Sequence, residues 1–376
     1  MNDGHLVAAA PSRRHLSSPC HSWVARSPSA EVPDGIPTLS ALSHPHFEGR
    51  ASLELVGGLR MIQEFDHTPV MVSEVVSMLE PVPAGVLVDA TVGGGGHAAA
   101  LLTAMPRHEL IGIDVDEDAV AESSARLAGF GHRARVVKAR FDELASTVLA
   151  LAGDRRPIVG VLFDLGVSSP QLDRPERGFS YRFNGPLDMR MDRSRGVTAA
   201  ELVNNLGVDE LIELFVENGE GRFSRRVAEG IVASRPIETT SRLVEVIEHY
   251  LPGAARKRGG HPAKRVFQAL RIEVNAELDV LAAGLGSALD LLAPGGRCVV
   301  LSYHSGEDRL VKRFFASAAS GGCVCPPELP CVCGAVATVR VLTRGARLPS
   351  AAEAGKNPRA ASARLRAAER LSQGGA

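Results

Sequence analysis

Aromatic side chains are scarce in this chain. Phe, Tyr and Trp together make up 4% of its 376 residues, so any stacking on a base must rest on a few individual rings. Long apolar runs are missing too: none approaches the ~20 residues of a membrane-spanning helix, which excludes a helical integral membrane protein. The first sixty residues hold no compact apolar stretch behind a basic start, so a secretory signal is not expected. A charge excess of one sign is also lacking, with 42 Lys and Arg against 43 Asp and Glu. Binding to a polyanion would therefore need a local basic patch rather than overall charge. Cysteine is sparse and unevenly spread: Cys20 and Cys298 stand alone, whereas Cys323, Cys325, Cys331 and Cys333 cluster. That is not the framework of a secreted disulfide scaffold, and a reducing cytoplasm is the expected compartment.

What is present suits a packed α/β protein. Hydrophobic residues reach 45%, enough for a sizeable core. Residues 1–60, rich in Ser, Pro, Ala and His, are expected to form a disordered extension, or else to lie upstream of a natural start at Met61. From Val86 short apolar runs (VLVDA, LIGIDV, ARVVKA, PIVGVLFDL) alternate with helical patterns, which predicts a doubly wound parallel sheet. The rhythm breaks over residues 175–270, where helical stretches such as VDELIELFVENG and SRLVEVIEHYL carry no strand between them. Strand character resumes at GGRCVVLSYHS. The reading is an α/β domain of residues 61–174 and 271–376, interrupted by an inserted helical subdomain at 175–270. An insertion leaving the C-terminal edge of such a sheet suits substrate recognition; a packing lobe without substrate contact is the alternative.

Candidate site residues fall at successive strand ends. Asp89-Ala-Thr-Val-Gly-Gly-Gly-Gly-His97 follows the first strand. Glycines there let a backbone pass close to a ligand, and Gly95, Gly96 and His97 are the residues of interest, although such runs also serve as plain turns. The run is not the G-x-G-x-x-G that sets a pyrophosphate on a helix N-terminus. It suits a nucleoside cofactor without a pyrophosphate, such as S-adenosylmethionine. Asp114 ends the second strand 18 residues beyond Gly96, near the spacing at which a carboxylate meets ribose hydroxyls. Asp116 is a lesser candidate. Phe141 and Asp142 follow the third strand, where Phe141 either meets an adenine or joins the core. Asp164 ends the fourth strand, and a carboxylate in such apolar surroundings points to chemistry.

Six segments in order resemble the RsmH (MraW) family: HTPVMVSEVV (67–76), DATVGGGGH (89–97), DLGVSSPQLDRPERGFSYRFNGPLDMRMD (164–192), HPAKRVFQALRIEVNAEL (261–278), GGRCVVLSYHSGEDRLVKRFF (295–315) and NPRAASARLRAAER (357–370). The resemblance spans roughly residues 65–372. It implies a class I (Rossmann-like) S-adenosylmethionine-dependent methyltransferase sheet with an inserted all-helical subdomain. It implies cofactor contacts at Gly95, Gly96, His97, Asp114, Phe141, Asp164 and Gln171. It also implies methylation of the N4 amine of a cytidine in the decoding region of small-subunit ribosomal RNA.

That chemistry needs an acceptor for the amine N–H groups, because the lone pair of an exocyclic amine is delocalised into the ring; Asp164 is expected to be that acceptor, in a direct in-line transfer. The Pro-Pro-aromatic run usual in amino-methyltransferases is absent after Asp164, and Phe179, Tyr181 or Phe183 either supplies a stacking ring or pins the insertion. Cys298, inside an apolar strand, is read as inert, which disfavours thiolate-assisted carbon methylation. The basic run Arg256, Lys257, Arg258, Lys264, Arg265 and Arg271 is the expected phosphate contact, or a solvated charge run. His304 is read as orienting a base or as structural, without a catalytic role. No metal is assigned to the site. The C-x-C ends of the cysteine cluster depart from the usual C-x2-C of zinc sites, so reduced thiols or a labile disulfide are preferred there over a structural zinc. A DNA amino-methyltransferase, a nicotinamide oxidoreductase and a non-catalytic ribosome-assembly factor are the competing readings.

Overall fold

The computed structural model describes residues 69–153, 156–219, 221–251, 261, 263–326 and 332–372. The expected extension at 1–60, Cys331 and the basic residues 256–258 lie outside the described residues.

Among the described residues seven strands form one sheet: β1 (Val86–Asp89), β2 (Glu109–Asp114), β3 (Ala134–Lys138), β4 (Ile158–Asp164), β5 (Leu292–Ser302), β6 (Val339–Val341) and β7 (Arg364–Arg370). Their spatial order is β3-β2-β1-β4-β5-β7-β6. The first five are mutually parallel, and β7 runs antiparallel to both β5 and β6. This is the Rossmann-like α/β class expected from the sequence. The apolar runs are continuous because both faces are covered. Along β5, Val299 and Leu301 enter one core cluster while Cys298 and Val300 enter the other. The first cluster is capped by helices α1 (Val72–Leu79), α2 (Gly96–Ala104) and α3 (Glu117–Leu127), and the second by the helices Leu144–Ala152, Glu277–Leu291 and Ser305–Ser320.

Between β4 and β5 the described residues form helices and loops, with one isolated β-bridge joining Pro186 to Thr239. These helices, with loop residues such as Phe179, Leu187 and Met189, build a third apolar cluster reaching to Leu270, separate from the two that sandwich the sheet. The last of these helices, Ala263–Val274, leads back through Glu277–Leu291 into β5.

The strand order reverses direction between β1 and β4. Such a switch point leaves a crevice outside the carboxyl ends of the strands. Asp89, Asp114 and Asp164 are the last residues of β1, β2 and β4, so the parallel register alone brings three carboxylates to the same end of the sheet.

Candidate active site at the carboxyl ends of the strands

The turn after β1 shows why it is glycine-rich. Gly95 has φ +77°, open to glycine at little cost, and a Cβ at Gly96 would overlap the ring of Pro69. These two glycines let α2 start close against Pro69 and α3. Gly93 differs: its missing side chain faces nearly open space, and its amide donates to Asp114 Oδ2 at 2.9 Å.

Asp164 is held from three sides. Its amide donates to Thr91 Oγ1 (2.6 Å), the Tyr303 hydroxyl donates to its Oδ1 (2.6 Å), and His97 Nδ1 lies 3.3 Å from its Oδ2. The other ring nitrogen of His97 faces the Val70 carbonyl at 2.8 Å. Both nitrogens thus meet acceptors, an arrangement satisfied only by the imidazolium. Burial works against that charge, but the hydrogen bond and charge of Asp164, with Asp89 behind it, raise the His97 pKa to about 9. The Tyr303 hydroxyl is pushed well above its ordinary range, first by burial and then by Asp164, so it stays a donor.

Asp89 is fully buried at the crevice floor. Burial lifts its carboxyl to about 7 against the opposing pull of His97 and the Thr91 amide. The Asp114 carboxyl is raised to about 6, again chiefly by burial. It accepts the amides of Gly93 and Asp116, one on each oxygen, which leaves each oxygen acceptor capacity.

Gln171 reaches the site indirectly. It caps the short helix Ser169–Asp173 by accepting from the Ser168 amide, and it donates to Asp116 Oδ2 at 2.8 Å. The same oxygen meets Arg177 Nη1 at 2.7 Å. Asp116 and Arg177 are both buried, and Arg177 also donates to the carbonyls of Arg190 and Met191. The Phe141 ring stands edge-on to Phe163 at 5.7 Å and fills the space above Gly284, so its side chain is engaged by core residues; beside it, Asp142 is held by Arg140.

Other expected residues find structural partners. His304 Nδ1 accepts the amides of Gly306 and Glu307 and so caps the helix Ser305–Ser320. Glu277, His304 and Glu307 bring ligand-capable atoms within 4.8 Å of one another. Arg271, however, forks onto Glu277 at 2.7 and 2.8 Å, so this cluster is an ion-pair network, and Arg271 is engaged away from any phosphate. Phe179 belongs to the insertion core, Tyr181 stacks on His261 at 4.6 Å, and Phe183 is exposed. Cys298 is buried and its thiol pKa is driven up by burial, as expected of an inert cysteine. Lys264 and Arg265 are exposed on the helix Ala263–Val274.

Thr91, Tyr303 and Arg177 were not legible as site residues in the sequence. Only the strand-end position of Tyr303, next to His304, offered a signal.

Two of these buried titrations, those of Asp89 and His97, give a pH signature. The folded chain keeps a proton on Asp89 up to about pH 7, whereas the unfolded chain releases it near 3.8, so stability falls as pH rises between those values. The His97 contribution is complete below its ordinary 6.5 and is lost as pH rises through about 9. Asp89→Asn removes the first penalty while keeping the acceptor for the Thr91 amide. Its unfolding free energy should exceed that of the parent by on the order of 1–3 kcal/mol near pH 8 and match it near pH 4. Equal differences at both pH values in urea titrations would contradict the buried-acid account.

Among the described residues, no helix is long and apolar enough to cross a membrane. The family model described as the MraW methylase family matches residues 64–371. A protein of Frankia alni named ribosomal RNA small subunit methyltransferase H is 53% identical over 312 residues, covering 81% of this chain and 95% of that protein. One of the same name from Heliobacterium modesticaldum is 47% identical, covering 82% and 99%. A solved rRNA methylase from Streptococcus thermophilus aligns at 13% identity with TM-score 0.36, covering 80% of this chain and 95% of that one.

Proposed function

This chain belongs to the MraW methylase family, and we propose on that footing that it methylates the N4 amine of a cytidine in the decoding region of small-subunit ribosomal RNA, with S-adenosylmethionine as methyl donor. The observation that carries the reading is Asp164, fixed at the end of β4 by Tyr303 and His97.

The crevice residues fit the donor. Asp114 and Asp164 at the rim, with Asp89 buried behind them, make a poorly solvated acidic setting suited to a sulfonium cation and a ribose diol. Gly93, with open space where a side chain would stand, leaves room for a ligand along the turn. Asp114 would accept from the ribose hydroxyls, and the Gly95–His97 turn and the Gln171–Asp116 pair would line the rest. The donor supplies an electrophilic methyl group.

Asp164 does the work on the acceptor amine. One donor already occupies each of its oxygens, and each keeps a lone pair. Accepting an amine N–H there favours a pyramidal nitrogen whose lone pair is free to attack in line. The His97 imidazolium sets a positive charge beside Asp164 and the Tyr303 hydroxyl fixes its rotamer. No covalent intermediate is needed, in keeping with the buried, inert Cys298. The helical segment 175–270 is proposed to present the RNA, with Phe183 as an available exposed ring and Lys264 and Arg265 as cations on its last helix.

The test uses small ribosomal subunits from a strain lacking this gene, incubated with the purified chain and S-adenosylmethionine carrying a labelled methyl group. The expected label is in N4-methylcytidine after digestion and mass spectrometry. Label in another nucleoside would overturn the amine assignment. Transfer to DNA alone would favour a DNA enzyme, and donor binding without any transfer would favour an assembly factor.

A further inference from the structure

The loop between the helix Ser305–Ser320 and β6 carries the sequence C-V-C-P-P-E-L-P-C-V-C. In extended chain, residues two apart face the same side. The first C-V-C obeys this: Cys323 and Cys325 are half-buried while Val324 between them is 88% exposed. In the second C-V-C the pattern is looser: Val332 is 89% exposed and Cys333 beside it is exposed as well. The thiols converge outside any apolar core while the valines between and beside them face water, the reverse of hydrophobic packing.

Their geometry is that of a ligand set. The Sγ atoms of Cys323, Cys325 and Cys333 all lie within 4.8 Å of one another, and Cys323 and Cys333 are 3.6 Å apart. Sulfurs around a tetrahedral zinc with Zn–S near 2.3 Å sit roughly 3.8 Å apart. The loop is anchored at its start by Gly321 and Gly322, both left-handed, which turn the chain sharply off the helix end.

We propose that Cys323, Cys325 and Cys333 form a structural binding site for a soft divalent cation, zinc in the first instance, with one coordination position left for a further donor. The C-x-C spacing argued against this from sequence, because a single C-x-C cannot wrap a metal as C-x2-C does. Two strands of chain facing each other can, and the fold supplies that. The site is distinct from the crevice at the strand ends and does not depend on the methyl-transfer reading.

The test takes the full chain, purified under reductant, equilibrated with zinc and desalted. Metal content by mass spectrometry should be roughly one ion per chain, and cobalt substitution should give a sulfur-to-cobalt charge-transfer absorption. A triple variant, Cys323→Ser with Cys325→Ser and Cys333→Ser, should lose both, with far-ultraviolet circular dichroism confirming that it folds. The parent measurement stands even if the variant does not fold. Parent protein without metal and with all three thiols rapidly alkylated would overturn the proposal. So would a disulfide among these cysteines that persists in the reductant, or metal retained by the folded triple variant.

Discussion

Asp164→Asn should lower kcat for methyl transfer by about 10²–10³-fold, the range observed when a single preorganised electrostatic contact to the reacting group is removed. The amide is isosteric and can still accept from Tyr303, so positioning should survive. The anion is lost, however, and with it the strongest acceptor for the amine N–H. Its loss also removes the partner that holds His97 protonated, so the variant turns the contact with His97 from a charge pair into a dipole contact. Substrate and donor KM should change little, because the contact matters most as the nitrogen pyramidalises. Tyr303→Phe should have the same sign and a smaller size, about tenfold, since it frees a rotamer without removing the charge. Single-turnover rates with labelled donor would measure both. An Asp164→Asn enzyme with an unchanged rate would mean that the acceptor of the amine proton lies elsewhere in the crevice.

Arg177→Met should destabilise the fold by about 3–5 kcal/mol, the usual size of the effect when one partner of a buried ion pair is removed. Asp116 is 5% exposed and Arg177 3% exposed, so water cannot replace the lost cation. Asp116 would keep Gln171 and the Asp118 amide that it caps, but it would carry an uncompensated charge in a poorly solvated place. The carbonyls of Arg190 and Met191 would also lose their donor. The double variant Arg177→Met with Asp116→Asn should recover part of the loss, because a neutral amide is cheaper to bury than an unpaired carboxylate. Urea unfolding of the two single variants and the double closes the cycle. A cost below about 1 kcal/mol for the single Arg177 variant would show that Asp116 relaxes into solvent, and that this pair does not tie the start of the insertion to the β2–α3 turn.

Both experiments bear on whether the crevice is built as described, and the labelled-subunit assay then reads the substrate.

Much of this protein is written locally in its chain. The apolar runs of β1 to β5, the helical rhythm of the insertion and the acidic strand ends are patterns among neighbouring residues. They were legible because side-chain period and turn chemistry depend on residues a few positions apart. Asp89, Asp114 and Asp164 could be placed at strand ends before any fold was known, and parallel register then gathers them. The partners of those residues are another matter. Tyr303 meets Asp164 across 139 positions of sequence, and the Asp164 amide meets Thr91 across 73. Arg271, grouped by sequence with cations for RNA, is claimed by Glu277, and the Phe141 ring stands against Phe163 and Gly284. Gln171 touches Asp116 rather than Asp114. The three loop thiols converge although their spacing argued otherwise. No local pattern specifies these contacts, because which distant groups meet is decided by how helices and strands pack. Packing also decides which buried charges are desolvated. The raised pKa values of Asp89 and His97, and with them the protonation state of the candidate catalytic centre, are therefore properties of the tertiary structure alone.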